Sequence, residues 1–171
     1  MIRKLCPTDF DSILNVILDA AQTYRGVIPN DRWKEPYMSA KELKAELDAG
    51  VQFYGWFEEN SLLGVMGIQP VKDTTLIRHS YVLHDYQRRG IGGRLLKHLL
   101  RLAKTHDVLV GTWENVDGAI LFYEQHDFTL VSRQEKDRLL RKYWTIPERQ
   151  IATSVVLKFS KQSLASEPKE V

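Results

Sequence analysis

The sequence predicts a single α/β (α+β) domain, and three observations carry that reading. Strand-like apolar runs and amphipathic helical runs are interleaved along residues 1–160 rather than grouped. Two of these runs, Gln52–Glu58 and Leu62–Val71, flank Glu59-Asn60 and read as a hairpin. A third, Thr74–Leu83, runs through a polar loop into Gly90, Gly92 and Gly93, which open a helix. A chain of this length buries a full core as one domain, expected over residues 1–160, with 161–171 a polar tail that frays.

Each element has its own justification. Ile2 to Leu5 alternate apolar and basic residues, the pattern of a short strand. Thr8 or Asp9 caps a helix with Ile13, Leu14, Ile17, Leu18 and Ala21 on its apolar face. In Tyr24 to Tyr37, two prolines and Gly26 prevent a continuous helix, while Tyr24, Trp33 and Tyr37 are more aromatic than a linker needs. Ser39-Ala40-Lys41-Glu42 has capping-box spacing for a second helix that ends at Gly50.

Lys72-Asp73 turns the hairpin into the long strand Thr74–Leu83. Period-2 alternation there sorts Ile77, His79, Tyr81 and Leu83 to one face, and Leu76, Arg78, Ser80 and Val82 to the other. From about Gly93 to Thr105, Leu95, Leu96, Leu99, Leu100 and Ala103 form one helical stripe, with Arg94, Lys97, Arg101 and Lys104 outside it. Val108–Trp113 reads as a strand, Val116–His126 as a helix and Thr129–Ser132 as a strand. Ser132 to Glu135 repeats the capping-box spacing before a charged helical stretch. Pro147 and Arg149 fall in a connector, and Ser154–Phe159 alternates as the last strand.

Composition excludes several classes. With 24 basic and 22 acidic residues, net +2, nucleic-acid binding is not indicated. Cys6 is the only cysteine, so no intrachain disulfide forms and a reducing compartment is expected. No apolar run approaches a membrane span and no signal-like segment follows Met1, which points to the cytoplasm. His98 and His106 read as solvated, and no ligand spacing suggests a metal. Trp56 and Trp113 read as core, and Lys142, Tyr143, Trp144 and Arg149 as a charged helix end rather than an RNA patch.

The chemistry concentrates at Tyr81 to Leu96. A strand feeding a glycine turn that opens a helix makes an anion seat, because the first helical N–H groups lack partners and carry the positive end of the dipole. Arg88, Arg89 and Arg94 add charge beside it. A diphosphate suits such a turn.

Gln87-Arg88-Arg89-Gly90-Ile91-Gly92 follows the pattern Q/R-x-x-G-x-G/A, and Asn115, Ala119 and Phe122 to Phe128 follow N…A…FYE-x-x-x-F. On these residues the chain resembles the GNAT superfamily of N-acetyltransferases over about residues 1–159. It departs at His84, where the family has Pro, losing rigidity in the loop, and at Asp127, where it has Gly. Asp tolerates left-handed backbone better than most residues, so that turn can survive.

The resemblance implies a mixed, mostly antiparallel sheet flanked by helices on both faces, with acetyl-coenzyme A as co-substrate and no metal. It implies backbone N–H groups from Arg88 through Gly90, Ile91, Gly92 and Gly93 to Arg94 around the diphosphate. Val82 and Leu83 would pair with the pantetheine arm, one of their N–H groups facing the thioester oxygen, with Asn115 and Phe122 also on the carrier. Tyr123 is the candidate general acid, since a phenol stays protonated at neutral pH. His79 is the candidate base, with Glu114 and Glu35 as alternatives.

The acceptor, a small-molecule or peptide amine, would enter past Tyr24, Trp33, Glu35 and Tyr37, where an acid attracts the protonated amine. Relatives pair through their sheets, so a homodimer is compatible. A dinucleotide oxidoreductase is disfavoured because Leu95 stands where G-x-G-x-x-G needs its third glycine. Modification of an aminoacyl-tRNA is disfavoured by the weak net charge. The alternative to catalysis is a silent acyl-coenzyme-A-binding module of the same fold.

Overall fold

A computed structural model describes residues 1–162; of the expected tail, residues 163–171 lie outside the described residues. The strands are β1 (Ile2–Lys4), β2 (Gln52–Glu58), β3 (Ser61–Val71), β4 (Thr74–Val82), β5 (Asp107–Trp113), β6 (Thr129–Leu130) and β7 (Ser154–Ser160). They form one sheet in the order β1-β2-β3-β4-β5-β7-β6, antiparallel throughout except between β4 and β5. The helices are α1 (Phe10–Ala21), α2 (Ala40–Asp48), α3 (Ile91–Leu102), α4 (Asp117–Glu124), α5 (Arg133–Tyr143) and α6 (Glu148–Ala152).

Both sheet faces are covered. Leu95, Leu96 and Leu99 of α3 and Tyr123 of α4 pack with Met66, Ile77, Val108 and Leu157 on one face. On the other, α1 and α2 cover Phe53 and Val65, and α5 and α6 cover Leu76, Leu109 and Val156. Among the described residues no helix is long and apolar enough to cross a membrane.

Local chemistry explains most boundaries. Glu59 and Asn60 both take positive φ, 46° and 68°, the two-residue turn whose twist matches that of antiparallel strands. The capping box of α2 closes at both ends: Glu42 N–H donates to Ser39 Oγ at 3.2 Å and Ser39 N–H to Glu42 Oε2 at 2.8 Å. At Ser132 only half of it forms. Glu135 N–H donates to Ser132 Oγ, but the Glu135 carboxylate turns to Arg138 at 2.7 Å.

Several elements differ from expectation. Asp9 does not cap α1; its carboxylate accepts from Cys6 N–H and from the Arg3 guanidinium, both at 2.8 Å. The buried stripe of α1 is Ile13, Val16, Ile17, Ala20 and Ala21, leaving Leu14 and Leu18 at its margin. The connector at Pro147 is the short helix α6, tied to α5 by the buried Lys136, whose Nζ donates to Ile151 O at 2.8 Å.

The largest correction concerns β4. Its register with β3 shifts between Val65 and Gly67, opposite Tyr81 and Arg78, and His79 takes φ 51°. This bulge adds one residue, so every side chain beyond it changes face. Ile77 and Val82 pack with α3, whereas Arg78 and His79 both reach Glu46 of α2, and Tyr81 packs on the same side. The expected grouping of Ile77 with His79 and Tyr81 is therefore overturned, because strict alternation assumes an unbroken pleat.

Gly67 accommodates the bulge. A Cβ there would lie 2.7 Å from Val51 Cγ1 and 2.9 Å from the Arg78 carbonyl oxygen, a backbone atom that cannot swing aside. Gly67→Ala is expected to destabilise the protein by about 1–3 kcal/mol. The measurement is the urea midpoint at unchanged slope; an unshifted midpoint contradicts the tight packing described.

Candidate active site

The pairing of β4 with β5 is confined to Thr75↔Val108, Leu76↔Leu109 and Ile77↔Val110. Beyond Ile77, β4 stays with β3 and beyond Val110, β5 stays with β7, so the two strands part. A cavity of about 900 Å³ occupies the opening and reaches both faces of the sheet. Gly90, Gly92, Gly93, Phe122 and Tyr123 line one end; Tyr24, Arg32, Tyr37 and Trp144 line the other.

The parting exposes backbone donors. Leu83 N–H donates to Leu63 O at 2.9 Å. Hydrogen-bonded and non-hydrogen-bonded pairs alternate in an antiparallel ladder, so Gly64↔Val82 is a non-hydrogen-bonded pair. Val82 N–H therefore points away from β3 into the opening. Of the two donors considered for an acyl oxygen, Leu83 is committed to the sheet and Val82 is directed at the cavity.

The glycine turn divides its work among three residues. Gly90 is the N-cap of α3 with φ 80°, and a Cβ there meets nothing closer than Arg94 Nε at 4.0 Å. Its role is conformational. Gly92 and Gly93 are about close approach: a Cβ would sit 3.4 Å from the Phe122 ring and 2.7 Å from His126 Nε2, respectively. The helix starts at Ile91, two residues before the expected Gly93, so the N–H groups of Ile91, Gly92 and Gly93 form its free first turn.

His84, which stands where the resembled family has Pro, supplies an N–H that donates to Asp19 Oδ2 of α1 at 2.7 Å. The loop is thus tied down by a bond that proline cannot make. Arg88 takes φ 58° and lines the cavity. Arg89 lies over the Tyr86 ring at 4.8 Å and Arg94 over Trp56 at 5.0 Å, both outside the lining.

Tyr123 lies in the cavity wall, buried between the rings of Phe122 and Phe128 at 5.0 and 5.4 Å. Burial pushes its phenol up to about 12, against the opposing effect of the Ser80 hydroxyl. It is a proton donor across the physiological range. The turn after α4 survives the Asp substitution: Asp127 takes φ 65°, and Phe128 N–H returns to Tyr123 O at 3.1 Å.

His79 also reaches the cavity wall, on the α2 face. Its Nε2–H donates to Glu46 Oε2 at 2.9 Å and its ring stacks on Phe53 at 5.8 Å. The same carboxylate oxygen meets Arg78 at 2.8 Å. Burial alone would raise the Glu46 carboxyl, but the hydrogen bonds and charges of His79 and Arg78 outweigh it and hold the group below the usual carboxylate range.

Other expected site residues are placed elsewhere. Glu35 pairs with Arg25 at 2.5 Å in solvent, Trp33 stacks on Tyr37 at 5.7 Å, and neither lines the cavity. Asn115 and Glu114 lie outside the lining as well. Trp113 is not core: it lines the cavity and donates from Nε1 to Tyr37 Oη at 3.3 Å. Tyr24 and Tyr81 add two more phenols, both raised chiefly by burial. Sequence reasoning passed over Tyr81 and Glu46 because the bulge that brings them into play has no local signature, and Arg32 because nothing in its neighbourhood marks it.

Among the described residues no group of three or more His, Cys, Asp or Glu is placed to hold a metal ion. A sequence model of the Acetyltransferase (GNAT) family matches residues 14–128, more than half of the chain. Compared with curated protein sequences, the chain has no match. Among solved structures it resembles a GNAT-family acetyltransferase from Staphylococcus aureus Mu50, with TM-score 0.72 and 14% identity over 94% of this chain and 98% of the other. It also resembles the PaiA N-acetyltransferase of Thermoplasma acidophilum in complex with coenzyme A, with TM-score 0.71 and 19% identity over 94% and 98%. An acetyl-CoA-bound GNAT-family acetyltransferase from Elizabethkingia anophelis aligns with TM-score 0.62 and 22% identity over 94% and 97%. At these identities the likeness establishes the fold.

The Glu46 cluster makes a pH-dependent prediction. A carboxylate with a depressed folded pKa stabilises the fold above its unfolded pKa, and that contribution is lost as pH falls through the folded value. Glu46→Gln is expected to cost about 1–3 kcal/mol at pH 7, by leaving Arg78 and His79 without their anion. The gap from wild type should narrow as pH falls below the ordinary carboxylate range. Denaturant titrations at several pH values measure it, and a gap that stays constant to pH 3 is inconsistent with this account.

Proposed function

This chain belongs to the acetyltransferase (GNAT) family, and we propose that it is an acetyl-coenzyme-A-dependent N-acetyltransferase acting by direct transfer in a ternary complex. The observation that carries the reading is the convergence of three features on one cavity: the free first turn of α3, the inward-facing Val82 N–H, and the protonated Tyr123. Two structural relatives hold coenzyme A or acetyl-coenzyme A.

The free N–H groups of Ile91, Gly92 and Gly93, with Arg88 beside them, suit a diphosphate. Bound acetyl-coenzyme A supplies the acetyl group activated as a thioester. Val82 N–H donates to the acyl oxygen, where a preorganised donor is worth roughly 3–4 kcal/mol in the transition state. The acceptor nitrogen bonds to the acyl carbon as the carbon–sulfur bond breaks. His79, whose Nε2–H is fixed on Glu46, presents Nδ1 as an acceptor for the amine proton, directly or through water. Tyr123 gives its proton to the departing thiolate. Of the three bases considered, His79 is the one in the cavity wall. A silent carrier-binding module is not favoured, since it has no use for a buried phenol beside the opening. A cytoplasmic setting accords with the single, unpaired Cys6.

Tyr123→Phe should lower kcat by roughly 100-fold while leaving the acetyl-coenzyme A Kd within a few-fold. Wild-type turnover in this variant removes Tyr123 from the mechanism. Gly90→Ala should instead weaken acetyl-coenzyme A binding, because alanine resists the left-handed conformation by about 1 kcal/mol or more. Calorimetry reads that directly, and wild-type affinity would argue against the glycine turn as the diphosphate seat.

A further inference from the structure

The acceptor end of the cavity is basic, contrary to the expectation of an acid that draws in a protonated amine. One carboxylate, Glu42, stands in the wall, and both its oxygens are taken. Oε1 bonds Lys34 Nζ, while Oε2 accepts from Ser39 N–H at 2.8 Å and Ser39 Oγ at 2.9 Å. Lys34 is thereby neutralised, and Arg78 is neutralised by Glu46.

Arg32 is different. It lies at the end of a 3-10 turn, Asn30–Arg32, and lines the cavity. Among the described residues its guanidinium makes one side-chain hydrogen bond, from Nη2 to Gln150 Oε1 at 3.2 Å, and no ion pair. Its neighbour Asp31 is held instead by Arg149 in a two-bond fork at 2.9 and 3.0 Å. Arg32 Nε is buried without any partner. A buried guanidinium donor left unpaired is costly, and a guanidinium with so few protein partners in a cavity wall is free to take a ligand acceptor. Arg88, the other unpaired cation in the lining, stands at the opposite, glycine-turn end.

We propose that Arg32 recognises a carboxylate on the acceptor, so that the acceptor is an amine carrying a free carboxylate: a free amino acid or a peptide with an open C-terminus. This rests on the acetyltransferase reading of the same cavity. The planar guanidinium fork matches two carboxylate oxygens better than any neutral group in the wall. A net positive wall also favours the uncharged amine, the form that attacks an acyl carbon. The carboxylate binds Arg32, and the amine reaches past Tyr24 and Tyr81 to the opening between β4 and β5.

The test pairs each acid with its carboxamide. Glycine, alanine, phenylalanine and glutamate, and the dipeptides Gly-Gly and Ala-Phe, are compared with their C-terminal amides in acetyl-coenzyme-A-dependent thiol release. Wild type should prefer the acids by roughly 10- to 100-fold in kcat/KM, the range of a charge-assisted bond. In Arg32→Gln this ratio should fall to about one, with Arg32→Lys between. Equal use of acids and amides by wild type, or an undiminished ratio in Arg32→Gln, overturns the proposal. Free amino acids winning over dipeptides, or the reverse, identifies the source of the carboxylate.

Binding keeps the two readings separate. Calorimetric titration of the same pairs into the coenzyme-A-loaded protein needs no turnover. Tighter binding of acids, lost in Arg32→Gln, supports Arg32 even if no acetyl transfer is seen, and the failure then lies with the enzymatic reading. Equal binding of acids and amides overturns the Arg32 proposal even if transfer is fast. Acetyl-coenzyme A binding by Arg32→Gln reports whether that variant is folded, and the wild-type ratio decides the matter if it is not.

Discussion

Everything at the cavity depends on β4 leaving β5 while keeping its bonds to β3. A regular sheet would satisfy the Val82 N–H with the neighbouring strand, and no opening would exist. The pairing that ends at Ile77↔Val110 leaves that group directed at open space. The bulge at His79 is what permits the departure, because an extra residue increases local twist and bends the strand. One inserted residue therefore sets the free direction of the Val82 N–H, the face on which Tyr81 lies, and the partner that His79 meets.

Helix placement follows from the same opening. With α3 beginning at Ile91, its first residues line the glycine-turn end of the cavity, and Gly92 and Gly93 let α4 approach closely enough for Tyr123 to line it. The glycine turn thus has two physical features, a free helix start and a packing groove. Close packing explains two of the three glycines. It does not account for Gly90, where space is open and only the backbone angle demands the residue.

Much of this was legible in the sequence, and the boundary of what was not is physical. The Glu59-Asn60 hairpin, the capping box at Ser39 and the strand-to-helix turn at Gly90 are local events, written in residues that touch each other in sequence. Family motifs singled out Tyr123 and the glycine turn, and both line the cavity. The bulge was invisible, since nothing in Arg78-His79-Ser80 announces positive φ, and every side-chain direction past it was inverted as a result. Trp113 looked like a core aromatic because burial and cavity lining draw on the same residue types. Glu35 and Trp33 looked like entrance residues because an irregular aromatic segment gives no sign of which side chains turn inward.

Glu46 joins the fold to the proposed chemistry. A non-glycine residue held at positive φ costs of order 1–3 kcal/mol and persists only where its surroundings over-determine it. Here the surroundings are the Phe53 ring and the Glu46 carboxylate, which fix His79 from two sides. The contact that secures the bulge also selects the tautomer, since a proton held on Nε2 leaves Nδ1 as the acceptor. The proposed acyl-oxygen donor and the proposed proton acceptor are then not independent parts: both rest on one carboxylate reaching across from α2. A bulge that relaxed into an unbroken pleat would move the imidazole off Glu46 and redirect the strand beyond it in the same change.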